Sequence, residues 1–411
     1  MSIDPAAETA RWLATISPED LERAVAYTRG GHWLLLWGAI VSIIVAWIII
    51  RTGILSGIRD RMERRRKRPK LVSLVVGVLY LLMSWVLTLP WAIYQSWWRE
   101  KQYGLTEQPL VGWLGEAALS TGISTVFAGL LIVGLYFIIR HARRLWWAWG
   151  AGLTAVAVVF MLIVSPILIE PLFNTYTPAP DGPMRDAVVE LAHATGTPDD
   201  KIYIYDGSKQ SDRYTANVSG LFGSARVAMS DVMFAKGADL AEVRGVVGHE
   251  MGHYVHMHSL WMTGILIVLA GLVFWLIDRL FPVARRLLGA SRVGDVSDPA
   301  GLPVLAAIGA VIGLLLTPVT NTMIRLIETD ADQFSLVHAN EPDGLSKALI
   351  KTAEYRAPSP SAIEEIIFYD HPSVENRVRM AMEWKATHLA SPPAAPAASA
   401  APPAAVATPA P

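Results

Sequence analysis

The chain has 411 residues, of which 53% are hydrophobic and only 17% charged, with a formal net charge of −1 and a mean hydropathy of +0.36. That balance excludes an ordinary soluble domain and gives no basic surface for nucleic acid. The absence of cysteine excludes disulfides and thiolate metal sites, so any metal must be held by His, Asp and Glu.

Residues 1–31 are polar and mildly amphipathic, and no basic start leads at once into an apolar core, so no cleavable signal peptide is read. Uncharged runs at 33–50, 71–98 (between Lys70 and Arg99), 117–139 and 145–169 are each long enough to span a bilayer, which assigns 32–169 to transmembrane helices. Pro90 is expected to break the second run near its end. The basic stretch at 59–70 reads as a solvated loop that orients the protein. Fifteen tryptophans, many near the ends of apolar runs, suit an interfacial aromatic belt.

At Glu170-Pro171 the character changes. Residues 181–196 read as a surface helix turning Met184, Val188, Val189 and Leu191 to a core. A short strand is expected at 201–206, and two more at 214–219 and 225–229, with Gly220 and Gly223 between them. Two further apolar runs, at 260–277 and 299–324, give membrane helices within 259–324, with kinks at Pro303 and Pro318. The part at 325–390 is polar and helical. The end, 391–411, is almost pure Ala/Pro and reads as a disordered tail.

The stretch 246–258, V-V-G-H-E-M-G-H-Y-V-H-M-H, carries the chemistry. Asp239 and Glu242 form a capping-box-like start, and Val243, Val246, Val247, Met251, Tyr254 and Val255 recur at helical spacing, so the stretch is a helix. His249 and His253, four apart, then offer their imidazoles to one ion, and Glu250 is left free to take a proton from a metal-bound water. Gly248 and Gly252 point to close packing against another segment. A metzincin is excluded, because His256 and Ser259 stand where that motif needs Gly and His. The third ligand must come from elsewhere.

Just past the sixth apolar run, Glu328 and Asp332 share a helix face. Alone, such a pair is a solvated face. Beside the two histidines, Glu328 becomes the third ligand, and Asp332 an acceptor that fixes the tautomer of a ligand histidine. Asp330 points off that face and reads as structural. Farther on, His371 and Arg377 offer a neutral donor and a fixed cation to developing oxyanion charge, although in isolation they would be a loop running into a helix.

Taken together, these segments resemble the Ste24-type CaaX prenyl endopeptidases, membrane-embedded zinc metalloproteases. The likeness runs from about Leu87 to Trp384. It is carried by Leu89-Pro90 through Tyr103-Gly104-Leu105, Glu170 through Pro178, Asp206-Gly-Ser-Lys209, Val247 through Tyr254, Glu328 through Asp332, and His371-Pro through Arg377. It implies one Zn2+ per chain on His249, His253 and Glu328, and Glu250 as general base. Asp332 would stand behind the ligands, and His371 and Arg377 would hold the substrate or the transition state. The fold implied is mainly α: a polytopic membrane bundle of about six helices with a gluzincin-like α+β zinc metallopeptidase domain.

Two departures stand out. Where that family carries Asn-Ala in the edge strand that pairs with substrate, this chain has Thr215-Ala216, which leaves main-chain pairing near Tyr214, Thr215, Ala216 and Asn217 intact. The apolar runs number one fewer than the seven described for eukaryotic members. With six alternating spans, the basic segments 51–70, 140–144 and 279–292 fall on one side. The positive-inside rule then places the zinc domain away from the cytoplasm, whereas eukaryotic relatives face the cytosol.

The reading is therefore an integral-membrane zinc metalloendopeptidase. Its partners are the lipid bilayer and a peptide or protein substrate, prenylated or membrane-associated, with no nucleic acid. A general quality-control protease is the other reading within this class. Outside it stands a non-catalytic scaffold or transporter with a structural zinc, against which an intact Glu250 argues.

Overall fold

The computed structural model describes residues 3–65, 67–220 and 225–388. Gly223 and the Ala/Pro tail lie outside them. Helix α1 (Pro5–Leu13) is capped by Asp4, and α2 (Pro18–Thr52) by Ser17; α2 continues unbroken for 35 residues. The polar segment at 1–31 is thus α1 plus the first turns of the first long helix. The basic run is not a loop but supplies α3 (Ile54–Arg65).

Helix α4 (Pro69–Ile93) is not interrupted at Pro90. It passes through the proline, and a π-helical turn follows at Tyr94–Trp98 before α5 (Arg99–Gln102). Helix α6 (Leu110–Ala142) reverses at Arg143, where φ is 43°, into α7 (Trp146–Val164), and a second π turn at Ser165–Ile169 holds Pro166.

The chain then leaves the bundle. It forms β1 (Tyr176–Pro178), α8 (Pro183–Thr195), β2 (Ile202–Tyr205), β3 (Ala216–Ser219), β4 (Arg226–Ser230), α9 (Asp231–Ala235) and α10 (Leu240–Val255). Long helices α11 (His258–Leu287) and α12 (Leu302–His338) follow, then α13 (Pro342–Lys351), α14 (Ala362–Phe368) and α15 (Val374–His388). Pro303 stands in the first turn of α12, where a proline is well placed, and only Pro318 is interior. Strand β1 had no sequence signal.

Among the described residues, five helical segments are long and apolar enough to cross a membrane. One of them, Leu110–Leu172, is the α6–α7 hairpin. The six apolar runs therefore correspond to α2, α4, α6, α7, α11 and α12, a multi-pass bundle.

The bundle has two distinct ends. At one, the three basic segments meet: Arg59 pairs with Asp298 and donates to the Arg292 carbonyl (3.1 Å), while Arg140 donates to Ser73 Oγ (2.9 Å). At the other, Thr28 accepts from the Ala357 amide (2.8 Å) and Thr106 donates to the Gln210 carbonyl (2.7 Å), joining the bundle to the peptidase part.

The sheet order is β1-β2-β4-β3. Only β2 and β4 are parallel, and β3 is an edge strand. Val188 and Leu191 of α8, Val227 and Met229 of β4, and Val243, Val247 and Met251 of α10 form one buried core between helices and sheet. Each such side chain contributes about 1.5–3 kcal/mol by leaving water. This core fixes α10 against the sheet.

Candidate metal centre

Helix α10 starts as its sequence dictates. Asp239 Oδ1 accepts from the Glu242 amide and Glu242 Oε2 from the Asp239 amide, both at 2.9 Å, a reciprocal cap worth about 0.5–2 kcal/mol. Its glycines let α12 approach closely. A Cβ at Gly248 would come within 3.0 Å of Ser335 Oγ, and one at Gly252 within 3.2 Å of the Ala331 Cα. That approach carries Glu328 and Asp332 to the histidine face of α10.

The donor atoms converge. The Nε2 atoms of His249 and His253 are 3.1 Å apart, and Glu328 lies 3.2 Å from the first through Oε2 and 3.4 Å from the second through Oε1. A tetrahedral ion with bonds of about 2.0–2.1 Å spaces its ligands by about 3.3 Å, so the three fit such an ion. Buried Glu328 Oε2 makes no hydrogen bond among the described residues, as a ligand oxygen would. Burial by itself would lower the His249 pKa, but the carboxylates of Asp332 and Glu328 beside it outweigh that and raise it to about 10, so this centre attracts positive charge. Burial, helped by the His249 charge, lowers His253 to about 4.

The surroundings fix orientation. Asp332, with 0% exposure, meets His249 Nδ1 at 2.8 Å through Oδ1, which directs Nε2 to the centre. Arg377 holds the same carboxylate bidentately, Nε to Oδ2 and Nη2 to Oδ1, both at 2.6 Å. Burial pushes Glu250 up to about 7.

Two cavities flank the centre. One, of about 440 Å³, is lined by His249, Glu250, Glu328, His371 and Arg377 together with Tyr214–Ala216 of the segment entering β3. The other, of about 750 Å³, is apolar and lies between α6, α7 and α11, bordered by Leu135, Leu153 and Met161; it reaches Val218, Gly220 and His253. The Ser230 amide donates to the Thr215 carbonyl at 3.0 Å. Alternation along the antiparallel ladder then leaves the main-chain groups of Ala216 and Val218 on the free edge.

Comparison with known proteins bears on this arrangement. Residues 8–175 match the model described as "CAAX prenyl protease N-terminal, five membrane helices", and residues 178–385 match "Peptidase family M48". The chain belongs to peptidase family M48. It is 27% identical to an uncharacterized metalloprotease of Bacillus subtilis, over 89% of this chain and 86% of that one. It is 25% identical to a "CAAX prenyl protease 1 homolog" of Arabidopsis thaliana, over 89% and 88%. The crystal structure of Ste24p from S. mikatae has the same fold, with a TM-score of 0.74 at 21% identity, covering 90% of this chain and 89% of that one. Like its family, this chain is a membrane metalloendopeptidase of the Ste24 type.

In this M48 peptidase the residues expected at the site mostly come together. His249, Glu250, His253, Glu328, Asp332, His371 and Arg377 lie around one point, with His371 Nε2 3.2 Å from Glu328 Oε2. One is arranged differently from the expectation. Arg377 is engaged with Asp332 and donates to it rather than standing free. Tyr214 and Ala216 turn their side chains into the peptidase core, so their part at the edge falls to the main chain. Thr215 and Asn217 alternate to the opposite side. Asp330, read as structural, faces His256 and His258; its pairing to a helix more than seventy residues away leaves no trace in local spacing.

Proposed function

We propose that the chain is a zinc endopeptidase in which His249, His253 and Glu328 hold the ion and Glu250 is the general base. Zinc there would supply Lewis acidity to the attacking water and the scissile carbonyl. Glu250 takes a proton from that water as oxygen adds to the carbonyl carbon, and returns it to the amine as the C–N bond breaks. Its raised pKa suits both transfers. His371 donates to the developing oxyanion. Arg377 acts through Asp332, keeping it ionised and His249 oriented. A substrate strand adds to β3 through the main chain of Ala216 and Val218. The convergence of two imidazole nitrogens and a carboxylate at the spacing of tetrahedral ligands, with a raised carboxyl next to them, carries this reading.

The substrates we assign are extended peptide segments, and the relatives named CAAX prenyl protease make a prenylated C-terminal peptide the first to try. The apolar cavity beside His253 has room for a lipid chain. By the positive-inside rule, the basic segments gathered at the far end of the bundle support a cytoplasmic position for that end, with the metal centre on the opposite side. That orientation favours a second reading, a protease of membrane-associated segments outside the cytosol.

Two measurements test these assignments. Purified protein should cleave a fluorogenic peptide, lose that activity to a chelator and regain it with zinc; cleavage indifferent to chelation would end the reading. Because the chain has no cysteine, single cysteines at Arg64 and Glu375 report sidedness directly. Arg64→Cys should be labelled from the cytoplasm and Glu375→Cys from the other side, and the reverse pattern would overturn the orientation.

A further inference from the structure

Helix α10 does not run on into α11. The chain reverses at Met257, whose φ of 53° is left-handed for a non-glycine residue, a conformation that costs about 1–2 kcal/mol. The reversal returns His258, only 7% exposed, over the ring of His253. Nδ1 of His258 lies 3.0 Å from Nδ1 of His253, and Nε2 of His258 lies 3.0 Å from Asp330 Oδ2. His256 Nδ1 contacts that same oxygen.

The proton positions follow. An ionised carboxylate only accepts, so neutral His258 carries its hydrogen on Nε2 and presents a lone pair at Nδ1. The bond between the two imidazoles must then run from the Nδ1–H of His253. His253 is left with a bare Nε2, the atom that faces His249 and Glu328.

We propose that His258, held by Asp330, is a positioning residue that locks His253 into the tautomer a metal ligand needs, as Asp332 does for His249. This rests on the assignment of His249, His253 and Glu328 as the metal ligands. His256, His258 and Asp330 also lie close enough together to hold an ion. Two features oppose that use. Both histidines converge on one carboxylate oxygen, the pattern of a hydrogen-bond fork. A cation on His258 Nε2 would also force a hydrogen onto its Nδ1, directly against the Nδ1–H of His253.

The test is zinc affinity of the purified full chain, measured by competition with a chromophoric chelator. His258→Ala should weaken binding about 10–100-fold. His258→Asn, whose amide oxygen stands near the lost acceptor, should recover most of the loss, and Asp330→Leu should resemble His258→Ala. Unchanged affinity in His258→Ala overturns the proposal, as does an Asn variant no better than the Ala variant. A second zinc equivalent that disappears in His256→Ala also overturns it, in favour of a second metal site. If His249→Ala binds zinc as tightly as the unaltered chain, the ligand assignment itself fails, and this inference with it.

Discussion

The two ends of the bundle are both rich in charge and use it in opposite ways. At the basic end, Arg59 and Asp298 pair beside a turn whose amides share the load, since Asp298 also accepts from Gly294 (2.7 Å) and Ala300 (2.9 Å). At the peptidase end, Asp332 has no amide donor among the described residues; it is balanced by Arg377 and His249 alone, entirely out of water. Charge at the first end is shared among several donors and tolerates loss. Charge at the second is concentrated on few partners, so losing one strands another.

Substitutions can break that contrast. The largest effect is expected from Glu250→Gln, which should lower peptide cleavage by about 10²–10⁴-fold while bound zinc stays unchanged, as metal analysis of the purified protein would show. Arg377→Ala should come next, costing about 3–5 kcal/mol because a fully buried carboxylate loses its cation and keeps His249 as its one partner among the described residues. A thermal unfolding midpoint equal to that of the unaltered protein would remove the distinction between the ends. Arg59→Ala should cost less, about 1–2 kcal/mol, because the remaining amide donors still satisfy Asp298. Its cleavage rate per folded molecule should not change, and a large loss there would show that the ends are coupled.

Much of this was legible in the chain itself, for reasons that can be named. The cap at Asp239 and Glu242, the four-residue spacing of His249 and His253, and the glycines at 248 and 252 are local signals that survive into the structure unchanged. Six apolar runs are likewise a composition signal. Features set by distant partners were not legible. Residues 214–219 alternate as a strand should, but nothing nearby tells which face meets the core, so the burial of the Tyr214 and Ala216 side chains is visible only in the structure. The reversal at Met257 breaks no periodicity, because both flanking helices are apolar, and without it the meeting of His258 with Asp330 cannot be foreseen. Pro90 misleads for the opposite reason: the signal is local and plain, yet α4 continues through it.

The free edge of β3 has a consequence for selectivity. An acceptor that binds peptides through alternate amides is indifferent to most side chains and intolerant of a missing hydrogen. Sequences would then be sorted chiefly by exclusion. A proline or an N-methylated residue opposite Ala216 or Val218 should abolish docking whatever its neighbours are, so imino acids beside a scissile bond would shield a protein from this enzyme.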